Sequence, residues 1–262
     1  MIAKLVKQQT GIVLGERKRD LVYGRLARRL RTLHCDAFAD YCRLLEAPDG
    51  EAERRMMVNA ITTNLTHFFR EAHHFEHLSG VVLPGIVQSR GAAHGRIRIW
   101  SAGCSSGEEP YSIAMSAREA LGDAAGWDLR ILATDIDTDM VARAKSGRYD
   151  ADRVGTIPPA LRQRYVRPGA NGTVDMADSL KSLIVFNPLN LLEPWPMRGP
   201  FDAIFCRNVV IYFDAPTQRA LIERFADQLV PDGWLYLGHS ETLFRTSSRF
   251  QHLGRTIYRR VA

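Results

Sequence analysis

Residues 96–114, RIRIWSAGCSSGEEPYSIA, carry the side chains best spaced to do chemistry. A run rich in Ile and Trp breaks into the small-residue turn Ser101-Ala102-Gly103-Cys104-Ser105-Ser106-Gly107, and Glu108-Glu109-Pro110 then opens a helical pattern. A buried strand, a turn of small residues and a helix opened by proline form the nucleotide-binding edge of an α/β sheet, at a strand's carboxyl end. Gly103 and Gly107 permit a ligand to approach the backbone closely. No Lys-Ser/Thr pair follows the second glycine, which excludes a phosphate-cradling loop, and the spacing is not that of a dinucleotide fingerprint. Two carboxylates in the turn would repel a pyrophosphate. The ligand implied is a nucleoside with a positively charged end. Cys104 serves here as a small side chain and not as a nucleophile.

Other segments belong where strand ends converge. They are TTNLTHFFRE at 62–71, ATDID at 133–137, NPLNL at 187–191 and CRNVVIYF at 206–213. An acid ending the second strand of a doubly wound sheet is placed to accept both hydroxyls of a ribose. Asp135 and Asp137 compete for that role and for the cap of the next helix; Asp137 suits the cap better, leaving Asp135 as the ligand candidate. His73, His74 and His77 lie one helical turn apart, but no metal is expected. His239-Ser240-Glu241 looks like a fragment of a catalytic triad, but no Gly-x-Ser-x-Gly elbow accompanies it, and it reads as a pocket-side turn.

The elements that must position these groups follow from periodicity. Residues 1–62 read as helical throughout, with Val22, Leu26, Leu30 and Leu33 on one face and Arg25, Arg28 and Arg31 directed away from it. A turn at Pro48-Asp49-Gly50 divides a helical basic domain (1–50) from a linker helix (51–62). From 63 to 262 strands alternate with helices: strands at 96–101, 129–134, 183–187, 201–206, 234–238 and 255–260, helices at 110–121, 137–146 and 215–229. That pattern predicts a mostly parallel sheet covered on both faces. Residues 147–182 interrupt it with Pro158-Pro159, Pro168-Gly169 and Asn171-Gly172, predicting an inserted β-rich unit, about 150–182, with a hairpin near 166–176.

Composition bounds the function. The 262 residues are 45% hydrophobic and 24% charged, ordinary for a globular protein, with no apolar run long enough to span a bilayer. The start lacks the apolar core of a signal peptide, and Cys35, Cys42, Cys104 and Cys206 form no CxxC pair, so a cytoplasmic protein with reduced thiols is expected. Residues 1–31 hold nine basic side chains against Glu16 and Asp20, an excess larger than the +6 of the whole chain. The basic helix is either a solvated surface or a docking face for an acidic partner. Nucleic acid is disfavoured because no aromatics interleave the arginines.

Taken together and in order, these segments resemble the CheR family of chemotaxis receptor methyltransferases. The resemblance spans nearly the whole chain: VYGRLARRLRTL, TTNLTHFFRE, GEEPYS, TDID, PLNLL, FCRNVVIYF and PDGWLYLGHSE. It implies a class I S-adenosylmethionine-dependent methyltransferase fold (Rossmann-like, α/β, mostly parallel sheet) with an N-terminal helical domain and an inserted β-subdomain. It implies methyl transfer from S-adenosylmethionine to receptor glutamates, giving methyl esters and S-adenosylhomocysteine. Carried over by position, Asn64, Thr66 and Arg70 match the binding and active-site segment, and Glu108 or Glu109 the acid holding the cofactor's amino-acid end. Asp135 matches the ribose acid, Asn190 and Leu191 the adenine side, Arg207 and Asn208 the residues closing the pocket, and Tyr212 the aromatic beside the methyl group. Arg70 and Tyr212 are the catalytic candidates. Arg25, Arg28 and Arg31 would dock on a receptor's acidic cytoplasmic coiled coil. No membrane insertion is expected, and nothing demands more than a monomer. Some relatives bind a receptor-tail peptide through a Gly-rich loop with Pro, His and Glu; here 167–173 reads RPGANGT, so independence of that peptide is expected. Two other functions compete: a non-catalytic module that senses the cofactor, and a nucleic-acid methyltransferase, the latter weakened because 187–190 has Leu where an amino-methylating motif needs Pro.

Overall fold

A computed structural model describes residues 2–13, 15, 19–91, 95–122, 126–243 and 247–261. Glu16, Arg17 and Lys18, counted with the N-terminal charge, lie outside them.

Four helices come first: α1 (Ile2–Thr10), α2 (Arg19–Thr32), α3 (Phe38–Glu46) and α4 (Glu51–Ile61). Their inward faces enclose a separate core in which Val6, Leu26, Tyr41, Leu45 and Met57 are buried. Val22, Leu26 and Leu30 are buried as their spacing predicts, and Leu33 packs at the edge. Arg29 is drawn inward, with Nε donating to Glu53 Oε1 at 3.1 Å, while the Tyr41 hydroxyl donates to the same carboxylate at 2.8 Å.

Beyond an extended segment, α5 (His73–His77), a π-helical turn (Leu78–Val82) and α6 (Leu83–Arg90) form one helical run. The sequence pattern does not predict it. Gly80, Pro84 and Gly85 blur the helical period, and burial of Phe75, Leu78, Val82 and Leu83 against the sheet overrides weak local propensity.

The remaining elements are β1 (Arg96–Ala102), α7 (Glu108–Leu121), β2 (Asp128–Asp135), α8 (Thr138–Ser146), β3 (Arg148–Asp150), α9 (Pro159–Tyr165), β4 (Val166–Pro168), β5 (Thr173–Met176), α10 (Asp178–Lys181), β6 (Ile184–Pro188), β7 (Phe201–Cys206), α11 (Ala215–Gln228), β8 (Leu229–Leu237), β9 (Phe250–His252) and β10 (Ile257–Arg260). The main sheet runs β6-β2-β1-β7-β8-β10-β9. Its first five strands are parallel, and β10 and β9 pair antiparallel at the far edge. The short β9 is a strand that the sequence pattern does not predict. Along β1, Ile97 and Ile99 face one core, while Trp100 and Ala102 face the other. Burial on both faces explains why these strands read as continuous apolar runs. Chain order reverses direction between β1 and β7, so a cleft opens there at the carboxyl ends.

Between α8 and β6 the expected insertion forms a second antiparallel sheet, β3-β5-β4. Asn171 and Gly172 both take left-handed conformations in its hairpin, at φ 52° and 74°, as an Asn-Gly turn requires.

Candidate active site

The loops following β1, β2, β6 and β7 converge on a cavity of about 1220 Å³, counting its open mouth. Of the expected residues, Asn64, Thr66, Arg70, Gly103, Glu109, Asp135, Asn190, Leu191, Arg207, Asn208 and Tyr212 all line it.

The turn after β1 is shaped by its glycines. Gly103 has φ 94°, and a Cβ there would meet Val209 Cγ2 at 2.3 Å. Its amide and that of Cys104 donate to the Thr134 carbonyl, fastening the turn to β2. Burial pushes the Cys104 thiol well above its ordinary range, which suits a packing role.

Asp135 and Asp137 make different contacts. Asp137 caps α8 by accepting from the amides of Asp139 and Met140. Asp135 accepts from Ser105 N at 2.7 Å and Asp137 N at 2.9 Å, each through a different oxygen. Burial pushes its pKa up to about 6, and those backbone donors oppose the rise.

The two turn glutamates also separate. Glu109 faces the cavity; it accepts from Ser101 Oγ at 2.7 Å and from Arg207 Nη1 at 2.9 Å. Glu108 does not line the cavity. It accepts from Ser106 Oγ at 2.7 Å and pairs with Arg153 of the insertion. The reason is helical geometry: successive residues of α7 point about 100° apart, so one carboxylate faces the cleft and its neighbour the insertion. Tyr149 adds a second stitch, its hydroxyl donating to the Ser106 carbonyl at 2.8 Å.

Arg207 is buried and crosses between two acids. Beyond Glu109, it donates to the Arg70 carbonyl and lies 3.5 Å from Glu71 Oε2. Glu71 therefore pairs with Arg207 and His239, not with Arg70. The Arg70 guanidinium remains at the cavity, where Nη1 donates to the Leu65 carbonyl at 2.8 Å. Tyr212 sits in a 3-10 turn (Val210–Tyr212), hydrogen-bonded to Thr63; burial pushes its pKa up, while Thr63 and the Arg70 charge pull it down.

Backbone strain gathers here. Phe69, Glu71, Ser105 and Asn208 all have φ between 48° and 59°. Such conformations cost on the order of 1–3 kcal/mol each and persist only where surrounding bonds over-determine them. For Asn208 the bonds are visible: the buried carboxylate of Glu241 accepts from the amides of Asn208 (2.8 Å), Ile211 (3.2 Å) and Gly238 (2.5 Å). The turn at 239–241 is thus the frame of the 207–212 loop.

Two corrections concern the helical domain. Thr10, Ile12, Leu21, Val22 and Ile61 line the cavity, a contribution that the sequence reading does not foresee. Asn190 Nδ2 also donates to the Gln9 carbonyl at 2.7 Å, and Val13 N to the Tyr212 carbonyl at 2.8 Å. Arg25 does not point freely away from the bundle. Its Nη1 donates to the carbonyls of Ile61 and Thr62, both at 2.8 Å, and approaches Thr63 Oγ1 at 3.3 Å. Terminal carbonyls of α4 lack helical partners and carry the negative end of the helix dipole, which attracts a guanidinium. Arg28 and Arg31 are exposed. His73 and His74 face the Arg255 carbonyl, and His77 the Tyr236 hydroxyl.

The cavity offers a buried acid after β2, a carboxylate with a shared guanidinium after β1, and apolar walls from Leu191, Ile136 and Val22. That donor set fits a nucleoside bearing an amino-acid tail. Buried Glu71 Oε2 and Arg207 Nε have no hydrogen-bond partner among the described residues.

Comparison with known proteins agrees. The family model described as "CheR methyltransferase, SAM binding domain" matches residues 64–259, and "CheR methyltransferase, all-alpha domain" matches residues 1–62. A "Probable chemotaxis protein methyltransferase" of Rhizobium etli is 46% identical over 97% of this chain and 96% of its own length. The "Chemotaxis protein methyltransferase" of Salmonella typhimurium is 45% identical over 98% of this chain and 88% of its own. That of Escherichia coli K12 is 44% identical with the same coverage.

Proposed function

Because the chain belongs to the CheR methyltransferase family, we propose that it methylates glutamate side chains of chemotaxis receptors and that the cavity residues above carry the reaction. It is an S-adenosylmethionine-dependent methyltransferase of bacterial chemotaxis with a class I methyltransferase fold. The cofactor-sensing alternative is not favoured, since the relatives are named as methyltransferases.

Bound S-adenosylmethionine supplies an electrophilic methyl group on a sulfonium. The protein's task is then to hold both reactants in line, about 3–3.5 Å apart at the reacting atoms. Asp135 would accept hydrogen bonds from the ribose hydroxyls, Glu109 would pair with the ammonium of the tail, and Asn190 and Leu191 would bound the adenine side with Ile136 and Val22. A glutamate substrate has an ordinary pKa of about 4.3, so it arrives ionised and needs no general base. Arg70 offers a fork for that carboxylate, and the Tyr212 hydroxyl is a donor beside it. Arg70 already donates to the Leu65 carbonyl, which limits how fully it can neutralise the nucleophile. The observation that carries this reading is Arg70 and Tyr212 on the same cavity as Asp135 and Glu109.

Arg28 and Arg31 supply the attraction for an acidic coiled coil, with the protein acting as a monomer in the cytoplasm. Among the described residues no helix is long and apolar enough to cross a membrane. The test is incubation with methyl-labelled cofactor and receptor-bearing membranes. Base-labile label on the receptor is expected, and Arg70→Ala should abolish it. Label on nucleic acid instead would overturn the reading.

A further inference from the structure

We infer that Glu71 is a positioning residue for the amino-acid end of the cofactor, acting by sharing Arg207 with Glu109 so that the cluster keeps one net negative charge for the cofactor's ammonium. The inference rests on the cofactor site assigned above and extends it to a residue outside the cavity lining.

The geometry is a carboxylate–guanidinium–carboxylate sandwich. Arg207, buried with the Phe75 ring centroid 5.4 Å from its guanidinium carbon, lies between Glu109 Oε2 at 2.9 Å and Glu71 Oε2 at 3.5 Å. Two acids on one guanidinium leave one net negative charge. Glu109 and Arg207 line the cavity and Glu71 does not, so the excess faces the cavity through Glu109. Without Glu71, the Arg207–Glu109 pair would be neutral and would pull weakly on an ammonium.

Glu71 is held in this role at some cost. Its backbone is left-handed, at φ 58°. Oε1 accepts from the His239 backbone at 3.2 Å and faces His239 Nδ1 at 2.9 Å. Oε2 has no hydrogen bond among the described residues and faces Arg207 and His74 Nδ1, the latter at 3.6 Å. Burial pushes the Glu71 pKa up, but the His239 bonds and the Arg207 charge outweigh it and leave it below its ordinary value. Glu71, His73 and His74 bring ligand atoms within 4.8 Å of one another, yet a metal cation there would confront the Arg207 guanidinium, so the cluster reads as part of the sandwich.

The test compares two ligands by calorimetry on the full chain. S-adenosylhomocysteine carries the amino-acid tail; 5′-methylthioadenosine lacks it. Glu71→Gln, nearly isosteric, should weaken S-adenosylhomocysteine on the order of tenfold and leave methylthioadenosine unchanged. Glu71→Asp, which keeps the charge but withdraws it, should fall between. Should the Gln variant not fold, the Asp variant alone decides, through the same ratio of affinities. A ratio unaltered in the variants overturns the inference while leaving the cofactor site intact. Failure of the unsubstituted chain to bind either ligand overturns the site itself.

Discussion

Arg207 and Arg31 carry the same guanidinium in opposite settings. Around Arg207 the charges are buried, counted and cross-linked, with each acid bonded to a second group. On the outer face of α2, Arg28 and Arg31 are exposed. Arg31 donates to the Ala27 carbonyl of its own helix at 3.4 Å. Charges of the first kind fix geometry and resist salt; those of the second kind attract a partner from a distance and are screened. Arg25 is intermediate, lying on the basic helix yet bonded to the cavity wall at 61–63.

Removing the buried guanidinium should have the largest effect. Arg207→Met leaves Glu71 and Glu109 uncompensated and should cost about 3–5 kcal/mol in a urea titration. An effect within ~0.5 kcal/mol, the size of a surface substitution, would erase the contrast between the two regions.

Asp135 should show the next largest effect, and its pH dependence has a definite sign. Its folded pKa, about 6, lies above its ordinary 3.8, so the folded state holds more protons. Its own contribution to stability therefore increases as the pH falls from about 6 toward 3.8, the reverse of a salt-bridged acid. The ribose contact proposed for Asp135 needs the ionised form. Affinity for S-adenosylhomocysteine should fall as the pH drops through about 6, and Asp135→Asn should weaken it by about 1.5–3 kcal/mol and flatten that dependence. A profile that remains steep in the variant would place the titrating group elsewhere.

Much of this site was legible in sequence because its residues follow strand ends in chain order. Gly103, Asp135, Asn190 and Arg207 each stand just beyond an apolar run. What sequence hid was everything set by long-range packing. The choice between Glu108 and Glu109 depended on where the insertion lies, since Arg153 captures Glu108. The cavity wall from Thr10 to Val22 depended on how the bundle docks. The run 73–90 lacked a clean period because glycines and a π-helical turn interrupt it. Glu241 looked like a triad fragment, and only the positions of three amides make it a loop frame.

Smaller effects would sharpen the comparison at α2. Arg25→Ala should lower cofactor affinity several-fold by freeing 61–63, whereas Arg28→Ala should leave cofactor affinity unchanged; equal losses by calorimetry would mean that Arg25 has no special tie to the cavity. Arg28→Glu with Arg31→Glu should raise the KM for receptor, most at low salt, with stability altered by no more than ~0.5 kcal/mol. Smallest of all, a receptor-tail peptide should give no low-micromolar heat on titration, because the hairpin turn between β4 and β5 is short and lacks His and Glu.

The most direct measurement is the identity of the modified residue. After reaction of the protein with S-adenosylmethionine and receptor-bearing membranes, mass spectrometry of receptor peptides should place single methyl groups on glutamate side chains, removable by mild base. Methyl groups on any other residue type, or groups that survive base, would contradict the assignment of Arg70 and Tyr212 to a carboxylate nucleophile.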